Sequence, residues 1–213
     1  MIEFNGSNQY IRSASTFTTT GTGTWCLWVR PISFSATDSL IGMENEYKIR
    51  TSAGGNLEIN LYRKFNKTQV SVASLTPGTL YHIACAYEPS GKNNRIATYI
   101  NGVLDIDDTN QDGSVSDTNI TVGASYGGTE YSNSAIGGVR HYDRFLSASE
   151  IATIYACQGT DGIVDGLTAY WPMKELADGD TVTNAIDIAG SNDLSTINGT
   201  PVYREVLLKR RAA

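Results

Sequence analysis

The stretch Tyr81-His-Ile-Ala-Cys-Ala-Tyr87, followed by Ile96-Ala-Thr-Tyr-Ile-Asn-Gly-Val-Leu104, decides the fold class. Successive side chains of a strand point to opposite faces, so Tyr81, Ile83, Cys85 and Tyr87 make one apolar face. His82, Ala84 and Ala86 opposite are mostly small, which suits a central strand with another layer close by. Ile96, Thr98 and Ile100 then run into Asn101-Gly102. That dipeptide favours the positive φ values of a tight type I′ hairpin, with Val103-Leu104 opening the return strand.

The same period of two recurs on either side of this hairpin. Leu57, Ile59 and Leu61 face one way, with Glu58, Asn60 and Tyr62 opposite, so this strand has one wet side. Around Trp25 both phases are apolar: Trp25, Leu27 and Val29 on one side, Cys26 and Trp28 on the other. Both faces of that strand are expected to be covered. Clusters of Gly, Ser, Thr and Asn at 52–56, 90–94, 110–119 and 123–134 read as polar loops between strands. One helix stands out near 147–157, because Ser147 followed by Glu150 forms a capping box ahead of Ile151, Ile154 and Tyr155, with a stop near Gly159. Many strands with one late helix predict an all-β, two-sheet antiparallel sandwich.

At 213 residues the chain can bury a large core, and a sandwich of this length forms one domain. The net charge of −6 argues against affinity for phosphate backbones, since such binding needs clustered Lys and Arg to displace counterions. Nucleic acid is therefore not an expected partner. Lys209, Arg210 and Arg211 read as a solvated tail. No apolar run reaches bilayer length and no basic-then-apolar leader opens the sequence, so neither membrane insertion nor a signal peptide is expected. Cys26, Cys85 and Cys157 cannot all pair with one another and are expected as free thiols, the first two as small buried apolar residues.

Five phrases resemble those of laminin-G-like jelly rolls in the concanavalin A-like lectin/glucanase superfamily. They are Ile2-Glu-Phe-Asn-Gly-Ser-Asn-Gln-Tyr10, Trp28-Val-Arg-Pro31, Leu75-Thr-Pro-Gly-Thr-Leu-Tyr-His-Ile83, Tyr99-Ile-Asn-Gly-Val-Leu104 and Gly138-Val-Arg-His-Tyr-Asp-Arg-Phe-Leu-Ser-Ala-Ser-Glu-Ile151. His141 departs by occupying a usually aliphatic position. The resemblance implies a jelly roll over residues 1–160. Within residues 161–213, Gly166-Leu-Thr-Ala-Tyr-Trp-Pro172, Gly190-Ser-Asn192 and Asn198-Gly-Thr-Pro201 look like the segment that normally precedes the first phrase. This segment is expected to complete the same sandwich, as in a circular permutation, or to be exchanged with a neighbouring subunit, because an orphan strand at Tyr170-Trp171 could not bury its apolar side. A truncated second repeat is the third reading.

The related glucanases hold paired carboxylates on a short Glu-x-Asp-x-x-Glu strand, and this sequence has none. Glu44 and Glu46 share a parity, but no third acid follows. No catalytic residue is expected. His82 and His141 lie in strand-like runs without a matching Cys, Asp or Ser motif, so both are read as hydrogen-bonded structural residues. Asp108, Asn110 and Asp112, followed by Gly113, copy the start of an oxygen-ligand calcium loop. The twelfth position is Asn119 instead of a bidentate Glu, and Asp and Asn are common in any turn. No cofactor is expected, with calcium on that loop the one candidate. In the loop at 123–134, Tyr126, Tyr131 and Asn133 could bind sugar, as jelly-roll lectins use exposed rings to stack on pyranose faces, or the loop could simply connect strands.

Three functions follow. The first is a non-enzymatic assembly protein on a bacteriophage virion surface or decoration layer, assembled in the host cytoplasm, with other virion proteins or copies of itself as partners. The alternative is a lectin-like carbohydrate-binding module that attaches to host glycans. The third, a glycosidase, lacks its carboxylate strand.

Overall fold

The computed structural model describes residues 1–17, 21–35, 37–43, 47–61, 68–88, 95–109 and 118–205. The described strands are β1 (Ile2–Glu3), β2 (Tyr10–Ser13), β3 (Gly23–Pro31), β4 (Thr37–Met43), β5 (Tyr47–Ser52), β6 (Asn56–Leu61), β7 (Thr68–Ser74), β8 (Tyr81–Tyr87), β9 (Ile96–Ile100), β10 (Val103–Asp108), β11 (Ile120–Val122) and β12 (Ser134–Tyr142). Helix α1 (Ala148–Ala156) follows, then β13 (Leu167–Trp171), β14 (Leu194–Asn198) and β15 (Val202–Tyr203). They form two antiparallel sheets. The first runs β10-β9-β8-β3-β12-β1-β15, with β13 also on β12, and the second runs β14-β2-β11-β4-β5-β6-β7.

The deciding stretch behaves as its alternation dictates. β8 lies between β3 and β9, pairing Trp25 with Cys85 and Tyr87 with Ile96. Asn101 and Gly102 have φ of 53° and 76°, the positive pair that a type I′ turn requires. Ile83, Cys85 and Tyr87 enter the main core between the sheets, together with Trp25, Leu27, Ile49, Leu57 and Ile59. Ala84 and Cys26 face the other way, into a second apolar layer with Tyr99, Tyr142, Ile151 and Ile154, under α1. The helix is there because its apolar stripe covers that outer face. Both halves of its capping box form, Ser147 with the Glu150 amide and Glu150 with the Ser147 amide. The Arg144 guanidinium, and then the Ser147 amide and hydroxyl, hold the Glu150 carboxyl down at about 2.

A bulge divides β12. Relative to β3 its register shifts between Gly137 and Arg140, and Gly138 takes φ +57°. This lets both Ile136 and Val139 face the main core and keeps the parity of His141 inward and Arg140 outward. The other edge of β12 is split at the same point: Ala135 and Ile136 pair with β1, whereas Val139, Arg140 and His141 pair with β13. The chain's first strand and its late segment thus share one edge.

Residues 163–205 contribute to both sheets. β14 pairs with β2 and β15 with β1. Trp171 lies 6.4 Å from Trp25 in a near-parallel stack and donates through Nε1 to the Asn192 carbonyl at 2.8 Å. Asp187, almost fully buried, organises the turn between β13 and β14. Its Oδ1 accepts from the amides of Tyr170, Ala189 and Gly190, and its Oδ2 accepts from Asn192.

Candidate functional site

The loop at 123–133 leaves β11 in the second sheet and crosses to β12 in the first. Its first half does not hang in solvent but lies on the outer face of β4. A Cβ on Gly42 would stand 2.8 Å from the Ser125 Cα, so only glycine there lets the loop come down onto the strand. The contact is fixed by the Gly123 amide donating to the Leu40 carbonyl at 3.1 Å and the Ser39 amide to the Glu130 carbonyl at 2.8 Å, while the Ser125 amide donates to the Thr129 carbonyl at 2.9 Å within the loop. A loop held this way needs little ordering when something binds it.

This seating brings Tyr126 against β2. The Arg12 guanidinium carbon lies 4.8 Å from the ring centre of Tyr126 and 4.8 Å from that of Tyr10, so the cation sits on both rings. Arg12 Nε donates to Thr121 Oγ1 at 2.8 Å and Nη2 to the Tyr126 carbonyl. Gly128 is flanked by Tyr10 Cε1 and the Tyr131 hydroxyl, each within 3.5 Å of where its Cβ would be. Three half-buried tyrosines are therefore gathered around Arg12 and Gly128. A strip of charge borders them: Glu130 accepts from Lys48 Nζ at 2.9 Å and Arg50 Nη1 at 3.0 Å, and Arg50 Nε reaches Glu58 at 2.7 Å. Flat rings suit stacking on the apolar face of a sugar, and the remaining guanidinium and carboxylate capacity suits hydroxyls.

Of the three residues expected from sequence, Tyr126 and Tyr131 belong to this platform. Asn133 is used elsewhere: its Nδ2 donates to Ser33 Oγ at 2.7 Å and its Cβ closes against Gly6. Tyr10 and Arg12 were missed, although their alternation with the core residue Ile11 places them outward.

In the acidic stretch, Asn110 and Asp112 lie outside the described residues, as do Glu44, Glu46 and Tyr62. Asp108 ends β10 opposite Ile96, and the Asn119 amide is given to the carbonyls of Ser13 and Ser15. Asp105 accepts from the amides of Val72 and Ala73, tying β10 to β7. Among the described residues no cluster of three or more His, Cys, Asp or Glu could hold a metal ion. None of the three cysteines is in a disulfide; Cys26 and Cys85 are buried, and burial pushes the Cys26 thiol up to about 12.

The histidines divide. His141 sits in the main core 4.5 Å from Trp25, with Nδ1 2.6 Å from Thr168 Oγ1 and Nε2 3.3 Å from the Tyr87 hydroxyl, the structural role its sequence context predicts. His82 faces the second layer, and among the described residues neither of its ring nitrogens has a hydrogen-bond partner, so the expected hydrogen-bonded role is not what the structure gives it. Burial pulls both imidazoles down to about 3, so both are neutral at pH 7.

The comparisons with known proteins agree with the architecture. No curated protein matches the sequence. Among solved structures, a presumed carbohydrate binding protein from Bacteroides ovatus superposes with a TM-score of 0.67 at 19% identity, over 94% of this chain and 57% of its own. The chain therefore spans little more than half the length of that relative. A heptameric SAP-like pentraxin from Limulus polyphemus gives 0.64 at 17% identity, over 91% and 94% of the two chains. The CBM40 module of a Ruminococcus gnavus sialidase, solved with α2,3-sialyllactose, gives 0.53 at 16%, over 64% and 84%. These likenesses establish the shared fold. A family model matches residues 5–152, and by that match the chain belongs to the concanavalin A-like lectin/glucanases superfamily.

Proposed function

We propose that this chain is a non-catalytic glycan-binding module, with the platform of Tyr10, Arg12, Tyr126 and Tyr131 as its sugar-facing surface. The observation that carries the reading is the seating of Arg12 on the rings of Tyr10 and Tyr126, with the Tyr131 hydroxyl beside Gly128 next to them, held on the outer face of the second sheet by a loop that Gly42 admits. Rigid aromatic anchors beside hydrogen-bonding groups are the usual make-up of a recognition surface, because rings supply contact area at low cost in conformational entropy. The same sandwich carries an α2,3-sialyllactose ligand in the Ruminococcus gnavus module, which supports a glycan over other ligand classes. The virion-surface reading rests on the sequence alone, and the similar structures named above do not add to it.

A glycan array probed with the full chain tests the proposal. A specific signal for one structural class of glycan is expected, and a blank array across neutral and acidic glycans would overturn it.

A further inference from the structure

We infer that the outer face of the first sheet holds a second binding site, a small cavity built on His82, for a single neutral polyhydroxylated ring such as a monosaccharide. The cavity has a volume of about 160 Å³ and lies where the edge of β12 passes from β1 to β13, at the Gly137-Gly138 bulge. Bulges interrupt pairing and open space beside a sheet, which is why they recur next to functional sites. The volume is that of about five waters, room for one small ring. A cleft of about 430 Å³ adjoins it through Arg140, Gly159 and Tyr170.

Three features of the walls define the ligand. Trp28 supplies an indole that lies 5.0 Å from His82 and stacks on Tyr155 at 6.0 Å. His82 itself is fully buried, and both of its ring nitrogens lack a partner among the described residues. An unmet buried polar group is destabilising, so a ligand that satisfies it recovers that loss. Because burial keeps the imidazole neutral, it offers one N–H and one lone pair. A hydroxyl, donor and acceptor at once, answers either nitrogen, whereas an anion would answer only one. The Arg140 guanidinium is already engaged: its Nη1 is shared between the two Asp161 oxygens at 3.1 and 3.0 Å and the Tyr142 hydroxyl, and its Nη2 donates to the Gly159 carbonyl. Of the other cationic groups on the lining, the Met1 amino group donates to the Arg204 carbonyl and Lys174 is exposed to solvent.

The site stands on its own geometry and does not need the tyrosine platform. The test follows the His82 ring nitrogens by NMR in ¹⁵N-histidine-labelled protein titrated with D-glucose, D-galactose and N-acetyl-D-glucosamine, and separately with sodium phosphate. A saturable shift with at least one sugar is expected, at a Kd of about 1 mM, with His141 unmoved and the response retained in Tyr126→Ala. Saturation-transfer signals from the same sugar should vanish in His82→Phe. His82 nitrogens that stay still with all three sugars, or that answer phosphate and no sugar, would overturn the inference. Because the titration uses the unaltered chain, a folding defect in His82→Phe does not affect it.

Discussion

Acidification from about pH 7.5 to 5 should remove about 4 kcal/mol of folding stability through two side chains, His82 and His141. Both are held neutral in the folded protein, at about 3, against an ordinary value of 6.5. Below 6.5 the unfolded chain takes up protons that the folded one refuses. The stabilising contribution is therefore complete above 6.5 and is lost progressively as pH falls from there toward 3. Each histidine gives up about 2 kcal/mol over the stated interval, and the pair a large part of the 5–15 kcal/mol typical of a domain. For His141 the geometry shows why protonation is resisted. The Thr168 hydroxyl donates to the His141 carbonyl at 3.2 Å, so its oxygen is the acceptor for Nδ1–H, and Nε2 is left to accept from Tyr87. A proton on Nε2 would face the Tyr87 hydroxyl inside the core. Urea unfolding followed by tryptophan fluorescence at half-unit pH steps measures the slope, and His141→Gln should halve it. A wild-type loss below about 1 kcal/mol over this range, before ordinary carboxylates titrate, would refute the reasoning.

Other consequences are open to direct measurement. Replacing Asp187 by Ala strands four backbone amides and should cost about 2–4 kcal/mol in denaturant unfolding, since charge-assisted bonds at a buried turn are lost together. Gly42→Ala should lift the loop at 124–130 from β4 and weaken glycan binding at least tenfold, about 1.4 kcal/mol, while the fold persists by circular dichroism. Calcium titration is expected to give no heat at millimolar metal, because Asn119 stands where a bidentate carboxylate would close the loop and offers one neutral oxygen instead.

Much of the fold was legible because it is written in local chemistry. The alternation in β8, the Asn101-Gly102 turn and the Ser147 capping box each fix their geometry within a few residues. What escaped depends on neighbours far apart in sequence. Tyr10 and Arg12 read as an ordinary outward pair until β2 is known to lie beside β11, which brings Arg12 under Tyr126. Asn133 sits near the tyrosines in sequence, yet its side chain is spent on Ser33 across the loop. Asn60 reads as a wet residue from parity alone but is buried, bonded to Thr68 on β7. That His82 has no hydrogen-bond partner among the described residues is not legible in the sequence, because it follows from how α1, β3 and the β12 bulge close around it.

The most direct test of the proposed glycan-binding surface is calorimetric titration of the strongest array ligand into the wild-type chain and into Tyr126→Ala. Losing one stacking ring from the platform should weaken binding by about tenfold or more at unchanged stoichiometry. An affinity that does not change when that ring is removed would contradict the assignment of the surface.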